Sequence, residues 1–266
     1  MSDVLAAIGA GAKPMIGMVQ LRALAGSSRR RDEVLGAVLD DALAQAALLR
    51  DAGFAFLMVQ NLGDLPVATQ AAAEQIAWMT RIATEVRRET KLPLGLNLLE
   101  NDAAAMLAIA SAADLDFVRV KVYVGAMVTA AGVEAGRAFE AVRARTLLRA
   151  DGVAIFADVH DRTAVPLAQA DFAADVRAAV TLGGADGLVV TGRSHAETIA
   201  LLRTARDAAP GTPLLAGGGA SVATIADIAQ VADGAIVGSA LKRAGDLFGA
   251  LDAGRARAFL AAARAR

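Results

Sequence analysis

Leu214-Leu215-Ala216-Gly217-Gly218-Gly219 and, one helical stretch later, Ala235-Ile236-Val237-Gly238-Ser239-Ala240-Leu241-Lys242 decide how this chain folds. Each is a short apolar strand ending in small residues, where the backbone can come close to a ligand, and each runs into a segment able to open a helix. N–H groups exposed at a helix start, with the positive end of its dipole, form a seat for an anion. Two such seats on the last two strand–loop units are where a (β/α)8 barrel often holds a phosphate. The predicted phosphate contacts are Gly217, Gly218, Gly219, Gly238 and Ser239, with Thr191 and Gly192 nearby. Lys242 is expected one turn into the helix that follows the second seat.

Outward from that pair, short β-branched runs alternate with longer alanine-rich stretches. Strands are predicted near 15–20, 55–60, 93–98, 117–122, 153–158, 186–191, 213–217 and 234–238. Helices are predicted over 33–51, 70–90, 102–112, 134–149, 170–182, 196–208, 222–230 and 253–264. Alternating β and α units imply a parallel sheet, because each return to the same edge needs a crossover helix. Eight units in 266 residues match one (β/α)8 barrel, or TIM barrel, which takes about 250 residues. The expected α/β domain spans 1–266, with its core over 13–264 and 1–12 as a leading segment. An internal echo favours closure. Ala52-Gly53-Phe54-Ala55, Ala113-Asp114-Leu115-Asp116, Gly183-Gly184-Ala185-Asp186 and Gln230-Val231-Ala232-Asp233 lead into strands two, four, six and eight. Helix-to-strand turns favour Gly and Asp in any case, so the count of eight weighs more.

The 27 Lys and Arg are balanced by 28 Asp and Glu, whereas a general nucleic-acid binder is normally basic. Cysteine is absent, which removes disulfides, a thiolate nucleophile and a cysteine metal site. His160 and His195 alone are too few for a multi-histidine zinc site. There is no Gly-x-Ser-x-Gly elbow and no P-loop. Met1-Ser2-Asp3-Val4 lacks the basic and apolar regions of a signal peptide, and charges interrupt each alanine-rich run short of a membrane span. The expectation is a cytoplasmic protein without membrane span or nucleic-acid partner. Pairing of outer helices into a homo-oligomer is open. The charge run Arg29-Arg30-Arg31-Asp32-Glu33 reads as a solvated helix start or as an anion clamp near the mouth.

Functional side chains of a barrel project from the carboxyl ends of its strands, and alternation sends every second residue inward. Strand four, Phe117-Val118-Arg119-Val120-Lys121-Val122, places Arg119 and Lys121 on the interior face. Strand five places Asp158 and His160 on one face, as a general acid/base with its electrostatic partner or as two ligands of Mg2+ or Mn2+. Polar networks that only hold barrel layers together are the competing explanation. Lys121 is a candidate base, Schiff-base lysine or anion binder, or else an ion-pair partner of Asp158 or Asp102. Asn61, Asn97 and Asp102 end strands two and three, and Asp102 equally suits the N-cap of the next helix. His195 reads as an exposed loop residue.

Several segments together resemble the BtpA/SgcQ family. They are Lys13-Pro14-Met15-Ile16-Gly17-Met18-Val19-Gln20-Leu21, Gln60-Asn61-Leu62-Gly63-Asp64, Gly95-Leu96-Asn97-Leu98-Leu99-Glu100-Asn101-Asp102 and Phe117-Val118-Arg119-Val120. Gly26-Ser27, Gly125-Ala126-Met127-Val128-Thr129, Ala157-Asp158-Val159-His160 and Ala235-Ile236-Val237-Gly238-Ser239-Ala240-Leu241-Lys242 join them. The resemblance implies a phosphate-binding TIM barrel, in a family whose members include proteins linked to photosystem I accumulation and others encoded beside sugar-uptake genes. The chain departs from the family pattern at Gln20, where His is usual, at Gln60, where Glu is usual, at Lys121, where Asn is typical, and at Arg162-Thr163, where Lys-His is usual. An amide neither transfers protons usefully nor binds hard cations tightly, so Gln20 and Gln60 offer no base or metal ligand.

The residues thus predict a barrel that binds a small phosphorylated metabolite. Asn61, Asn97, Asp102, Arg119 and Lys121 orient it, and Asp158 with His160 move a proton in an isomerase-, epimerase- or aldolase-like step. Lys121 or a bound Mg2+ stabilises an enolate there. The other expectation is a non-catalytic assembly or regulatory factor that uses the barrel as a ligand-sensing or docking platform, marked by an apolar patch on the helical exterior.

Overall fold

A computed structural model describes residues 2–30, 32, 34–168, 171–243 and 246–265. Eight parallel strands close into a barrel: β1 (Met15–Gln20), β2 (Phe56–Gln60), β3 (Leu94–Asn97), β4 (Phe117–Val120), β7 (Ala154–Val159), β9 (Gly187–Val190), β10 (Leu214–Gly217) and β11 (Gly234–Val237). β1 seals the ring by pairing Met15 with Ala235 and Gly17 with Val237 on β11. Around it stand α2 (Leu35–Ala52), α3 (Ala73–Thr90), α4 (Ala103–Ala112), α5 (Ala138–Leu147), α6 (Phe172–Thr181), α7 (His195–Ala208), α8 (Ile225–Val231) and α9 (Ala253–Arg264). None of the described helices is long and apolar enough to cross a membrane.

Strand alternation divides the apolar residues into two shells. Val19, Leu57, Val59, Leu96, Val118, Ile155, Leu188 and Ala216 point outward and join the helices in the main core. Ile16, Met18, Met58, Phe117, Phe156, Val189, Leu215 and Ile236 fill the barrel interior. Phe117 and Phe156 meet edge-to-face with centroids 5.7 Å apart. Gly95 is glycine because a Cβ there would lie 2.2 Å from the Phe117 ring. The segment 1–12 is more than a leader. It carries α1 (Asp3–Gly9), whose fully buried Val4 packs into the interior cluster and closes the lower end.

The echo before the even strands has a physical meaning. Asp116, Asp186 and Asp233 each use Oδ2 to accept the first or second N–H of the preceding barrel strand, from Leu94, Ile155 and Leu214, each at 2.8 Å. Each returns its own N–H to the carbonyl of that same residue. Arg87, Arg145 and Arg206, from the helices before those strands, pair with the three carboxylates. The device links units three with four, five with six and seven with eight. The turn before β2 has Ala55 in place of the aspartate.

Three elements depart from the predicted string. The helix expected over 134–149 starts later, because a hairpin of β5 (Ala126–Thr129) and β6 (Gly132–Ala135) precedes it. β8 (Val165–Pro166) pairs with β5 from the loop after β7, giving a three-stranded antiparallel hood over the mouth. His195 is the first residue of α7, after the N-cap Ser194, rather than part of a loop. Of the charge run, Arg31 and Glu33 lie outside the described residues. Arg29 and Arg30 stack over Phe248 and Trp78.

Removing one aspartate tests the strand clamp. Asp233→Ala leaves the Leu214 N–H and the Arg206 guanidinium without their acceptor, and urea unfolding is expected to show a loss of about 1–3 kcal/mol. Asp233→Asn keeps an oxygen for the N–H and is expected to cost less.

Candidate functional site

The carboxyl ends of the strands and the hood enclose a cavity of about 430 Å3. Gln20, Gln60 and Arg119 form its floor, and Gly217, Gly218, Gly219, Gly238 and Ser239 one wall. Lys121, Asp161, Arg162 and Thr163 stand on another side, with Thr129 and Glu134 of the hood above and an apolar flank of Leu62, Leu65, Leu99 and Val122.

Both predicted seats reach this cavity, but through loop amides rather than helix starts. After Gly219 the chain runs through a turn before α8, and after Gly238 it makes a single 3-10 turn, Ser239–Leu241. Gly218 and Gly219 adopt left-handed φ of 93° and 72°, which glycine takes at no steric cost. The Gly218 N–H is occupied by the Ile236 carbonyl at 3.2 Å. The amides of Gly219, Gly238 and Ser239 meet no acceptor among the described residues. Arg162 fronts the turn: a Cβ on Gly219 would lie 3.3 Å from its guanidinium. Arg162 is exposed and has no carboxylate partner among the described residues. Thr191 and Gly192 take no part in the cavity wall. The Thr191 hydroxyl donates to the Gly217 carbonyl, and the Gly192 N–H donates to Thr198 Oγ1 at 3.0 Å. Lys242 does not sit on a helix. It is buried and turned back, its ammonium donating to the Leu247 carbonyl, and burial lowers its pKa.

Arg119 and Asp158 form a fork at the floor, Nε to Oδ1 at 2.7 Å and Nη2 to Oδ2 at 2.6 Å. Burial opposes the charge of Arg119, and the Asp158 carboxylate outweighs it, so the guanidinium is held more firmly cationic than usual. Burial raises the Asp158 pKa, with Arg119 acting against it. Lys121, just past the end of β4, pairs with Asp161 at 2.6 Å, where Asp158 or Asp102 had been the expected partner. Burial would raise the Asp161 pKa, but the Lys121 charge and the Thr163 N–H hold it low.

Asp158 and His160 do not share a face. His160 has a left-handed φ of 54°, which ends the strand alternation, and its Nε2 meets Asp175 of α6 at 2.7 Å beside the Phe172 ring. The ring therefore turns out toward α6, and the expected acid/base pair and Mg2+ ligand pair are not assembled. Among the described residues no group of three or more His, Cys, Asp or Glu gathers in a metal-binding arrangement.

The three remaining candidates are structural in place. Asp102 caps α4 through the Ala105 N–H at 3.0 Å. Asn97 is fully buried between Gln60 and the Arg119 carbonyl. Asn61 is fully buried and donates to Asp64 at 2.9 Å and to both oxygens of Glu100. Gln75 also donates to Asp64 and Glu100, at 2.9 and 3.0 Å. Two carboxylates thus share amide donors, and burial, with Asp64 adding to it, raises the Glu100 pKa. Asp161, Glu134 and the part played by Arg162 escaped sequence reasoning. The strand-end rule does not reach into loops that fold back across a mouth.

The chain belongs to the BtpA family, whose model matches residues 11–265. It is 37% identical over 252 residues to the photosystem I biogenesis protein BtpA of Synechocystis, covering 94% of this chain and 87% of that one. It is 36% identical to a protein of Thermococcus kodakarensis, covering 92% and 93%. Among solved structures, N-(5'-phosphoribosyl)anthranilate isomerase from Pyrococcus furiosus superposes with a TM-score of 0.57 at 12% identity, covering 94% of this chain and 98% of that one. That likeness is one of fold.

The buried charges give two measurable outcomes. Arg119→Met strands Asp158 and is expected to cost about 3–5 kcal/mol in urea unfolding, most of it recovered by adding Asp158→Leu. Because the folded Glu100 pKa lies above the ordinary 4.5, its contribution to stability is fully present below that value and is lost as pH rises through the folded pKa. Glu100→Gln is expected to raise stability at pH 7 and to flatten its pH dependence above 4.5.

Proposed function

We propose that the cavity binds a small phosphorylated metabolite, with the phosphate on the amides of Gly219, Gly238 and Ser239 and the guanidinium of Arg162 facing it. The observation that carries this reading is that three amides on the two loops after β10 and β11 have no acceptor, and the guanidinium facing Gly219 no carboxylate, among the described residues. Loop amides arranged in a concave turn bind anions without a helix behind them, and an Arg fork matches phosphate oxygens. The phosphate in the name of the phosphoribosylanthranilate isomerase is in keeping with it.

For the reaction, an isomerase-, epimerase- or aldolase-like step, Lys121 is the proton carrier. Its side chain lines the cavity, and the ion pair with Asp161 at 2.6 Å holds it in place. A developing enolate oxygen next to the ammonium is stabilised as its charge grows. Asp158 serves by fixing Arg119, and His160 is assigned no step. Mg2+ enters, on this reading, only with the phosphate it accompanies.

One observation favours the non-catalytic assembly or regulatory role instead. Phe139, Leu147 and Leu148 of α5 and its C-cap stand exposed around a groove of about 370 Å3 on the barrel exterior. Ligand binding separates the metabolite reading from a docking platform, and turnover of the bound ligand separates it from a ligand-sensing one.

Inorganic phosphate is expected to raise the thermal midpoint of the intact chain, since a ligand of the folded state stabilises it. Arg162→Ala is expected to weaken that binding about tenfold, the scale of one charge-assisted contact. Absence of any shift with phosphate or phosphorylated sugars removes the metabolite reading and leaves the platform role.

A further inference from the structure

Among the described residues two carboxylates line the cavity, Asp161 and Glu134. Asp161 is committed. Its Oδ2 takes the Lys121 ammonium at 2.6 Å and the Thr163 hydroxyl at 2.8 Å, and its Oδ1 the Thr163 N–H at 3.1 Å. Glu134 is free by comparison. Its Oε1 accepts from the Thr129 hydroxyl at 3.0 Å, while Oε2 has no hydrogen-bond partner and no cation pairs with the group among the described residues. Even the Thr129 proton is shared, because the Gly132 carbonyl lies 3.1 Å from the same hydroxyl. The other groups near the mouth are engaged or unsuited: Arg119 holds Asp158, His160 turns to Asp175, and Gln20 and Gln60 are amides.

The hood sets where this carboxylate points. Residues directly opposite in an antiparallel pair stand on one face of the sheet. Glu134 pairs with Met127, which is buried against Val122 and Ala164, so Glu134 hangs from the underside. Val128 pairs with Val133 and Val165, and these three stand exposed on the upper face. The root of the hairpin is fastened to the chain that leaves β4. The Gly136 N–H donates to the Gly125 carbonyl at 2.8 Å and the Arg137 N–H to the Val122 carbonyl at 3.2 Å. Lys121 stands at the foot of this loop and Glu134 on its returning strand, so one loop brings an ammonium and a free carboxylate to the same cavity.

We propose that Glu134 is the base of the proton-transfer step and removes the proton from the carbon next to the substrate's carbonyl group. The inference rests on the phosphate seat and the enolate step above, and it supplies the group that step lacks. Lys121, as an ammonium, serves the oxygen and has no lone pair for a carbon-bound proton. The C–H bond breaks, its electron pair becomes the C=C bond of the enolate, and the carbonyl pair moves to the oxygen. There the ammonium stabilises the charge. Glu134 holds the proton, exchanges it with water and returns one to carbon, so no oxidant or co-reactant is consumed.

The test is deuterium uptake in D2O, followed by proton NMR, with the intact chain and dihydroxyacetone phosphate, ribulose 5-phosphate or fructose 6-phosphate. These probes set the carbonyl at different distances from the phosphate, and uptake beside the carbonyl is expected with at least one of them. Glu134→Gln keeps the shape of the side chain and an acceptor for Thr129. It is expected to slow uptake about a hundred- to ten-thousand-fold, the usual worth of a positioned base, while inorganic phosphate still raises the thermal midpoint. Glu134→Asp withdraws the carboxylate by one methylene and is expected to show a smaller loss; it decides the matter if Glu134→Gln does not fold. An undiminished rate in either folded variant overturns the assignment of Glu134. If phosphate raises the midpoint of the unmodified chain but no probe takes up deuterium, the seat stands and this inference falls. Uptake that depends on Glu134 without a phosphate shift removes the seat and keeps the base. If neither is seen, both fall.

Discussion

The cavity depends on an ion pair at the floor of the barrel. Arg119 and Asp158 sit on strands paired in register, with Arg119 opposite Phe156, and their side chains meet above the aromatic layer of Phe117 and Phe156. Two buried charges cost several kcal/mol each unless geometry and hydrogen bonding are good. The fork geometry at 2.6 and 2.7 Å meets that condition. The Arg119 carbonyl accepts from Asn97, Asn97 Oδ1 from Gln60, and Gln60 Oε1 from Gln20, so the ion pair and the amides of the floor form one hydrogen-bonded system.

Above the floor, chemistry is supplied by loops held against one another. The loop after β4 rises into the hood and the loop after β7 adds its third strand, and so Lys121 of one loop meets Asp161 of the other. Glycines at the ends of β10 and β11 keep the remaining side low enough for the backbone to form a wall. Gly217 in particular allows close approach: a Cβ there would lie 2.3 Å from Val189 and 3.1 Å from Arg119. Below, α1 and the three aspartate clamps serve stability, the usual division of labour between the two ends of such a barrel.

Much of the architecture was legible because periodicity is a local property. All eight barrel strands lie where β-branched runs were read, and the order of the units followed from alternation. The aspartates before strands four, six and eight were visible as an echo, but their partners, N–H groups 22, 31 and 19 residues upstream and arginines further back, were not. The hairpin over 126–135 lay between predicted elements and overlapped the predicted helix over 134–149 only at its last two residues, because alanine and glycine there suit several conformations and pairing with β8 decided the outcome. Three site residues misled for definite reasons. His160 obeys alternation only while the strand continues, and a positive φ at that residue ends it. Asn61 and Asn97 look like ligand-facing amides at strand ends, yet each finds its partners within the protein.

The sequence by itself determined the closed parallel barrel, its family and the glycine-rich loops at strands seven and eight, since these follow from repeating pattern and backbone freedom. Only the tertiary structure decided which polar groups face the cavity. It paired Arg119 with Asp158 and Lys121 with Asp161, turned His160 outward and brought Arg162 to Gly219. Hydrogen bonds and ion pairs between side chains depend on distances across the barrel, and a linear pattern carries no information about those distances until the ring has closed.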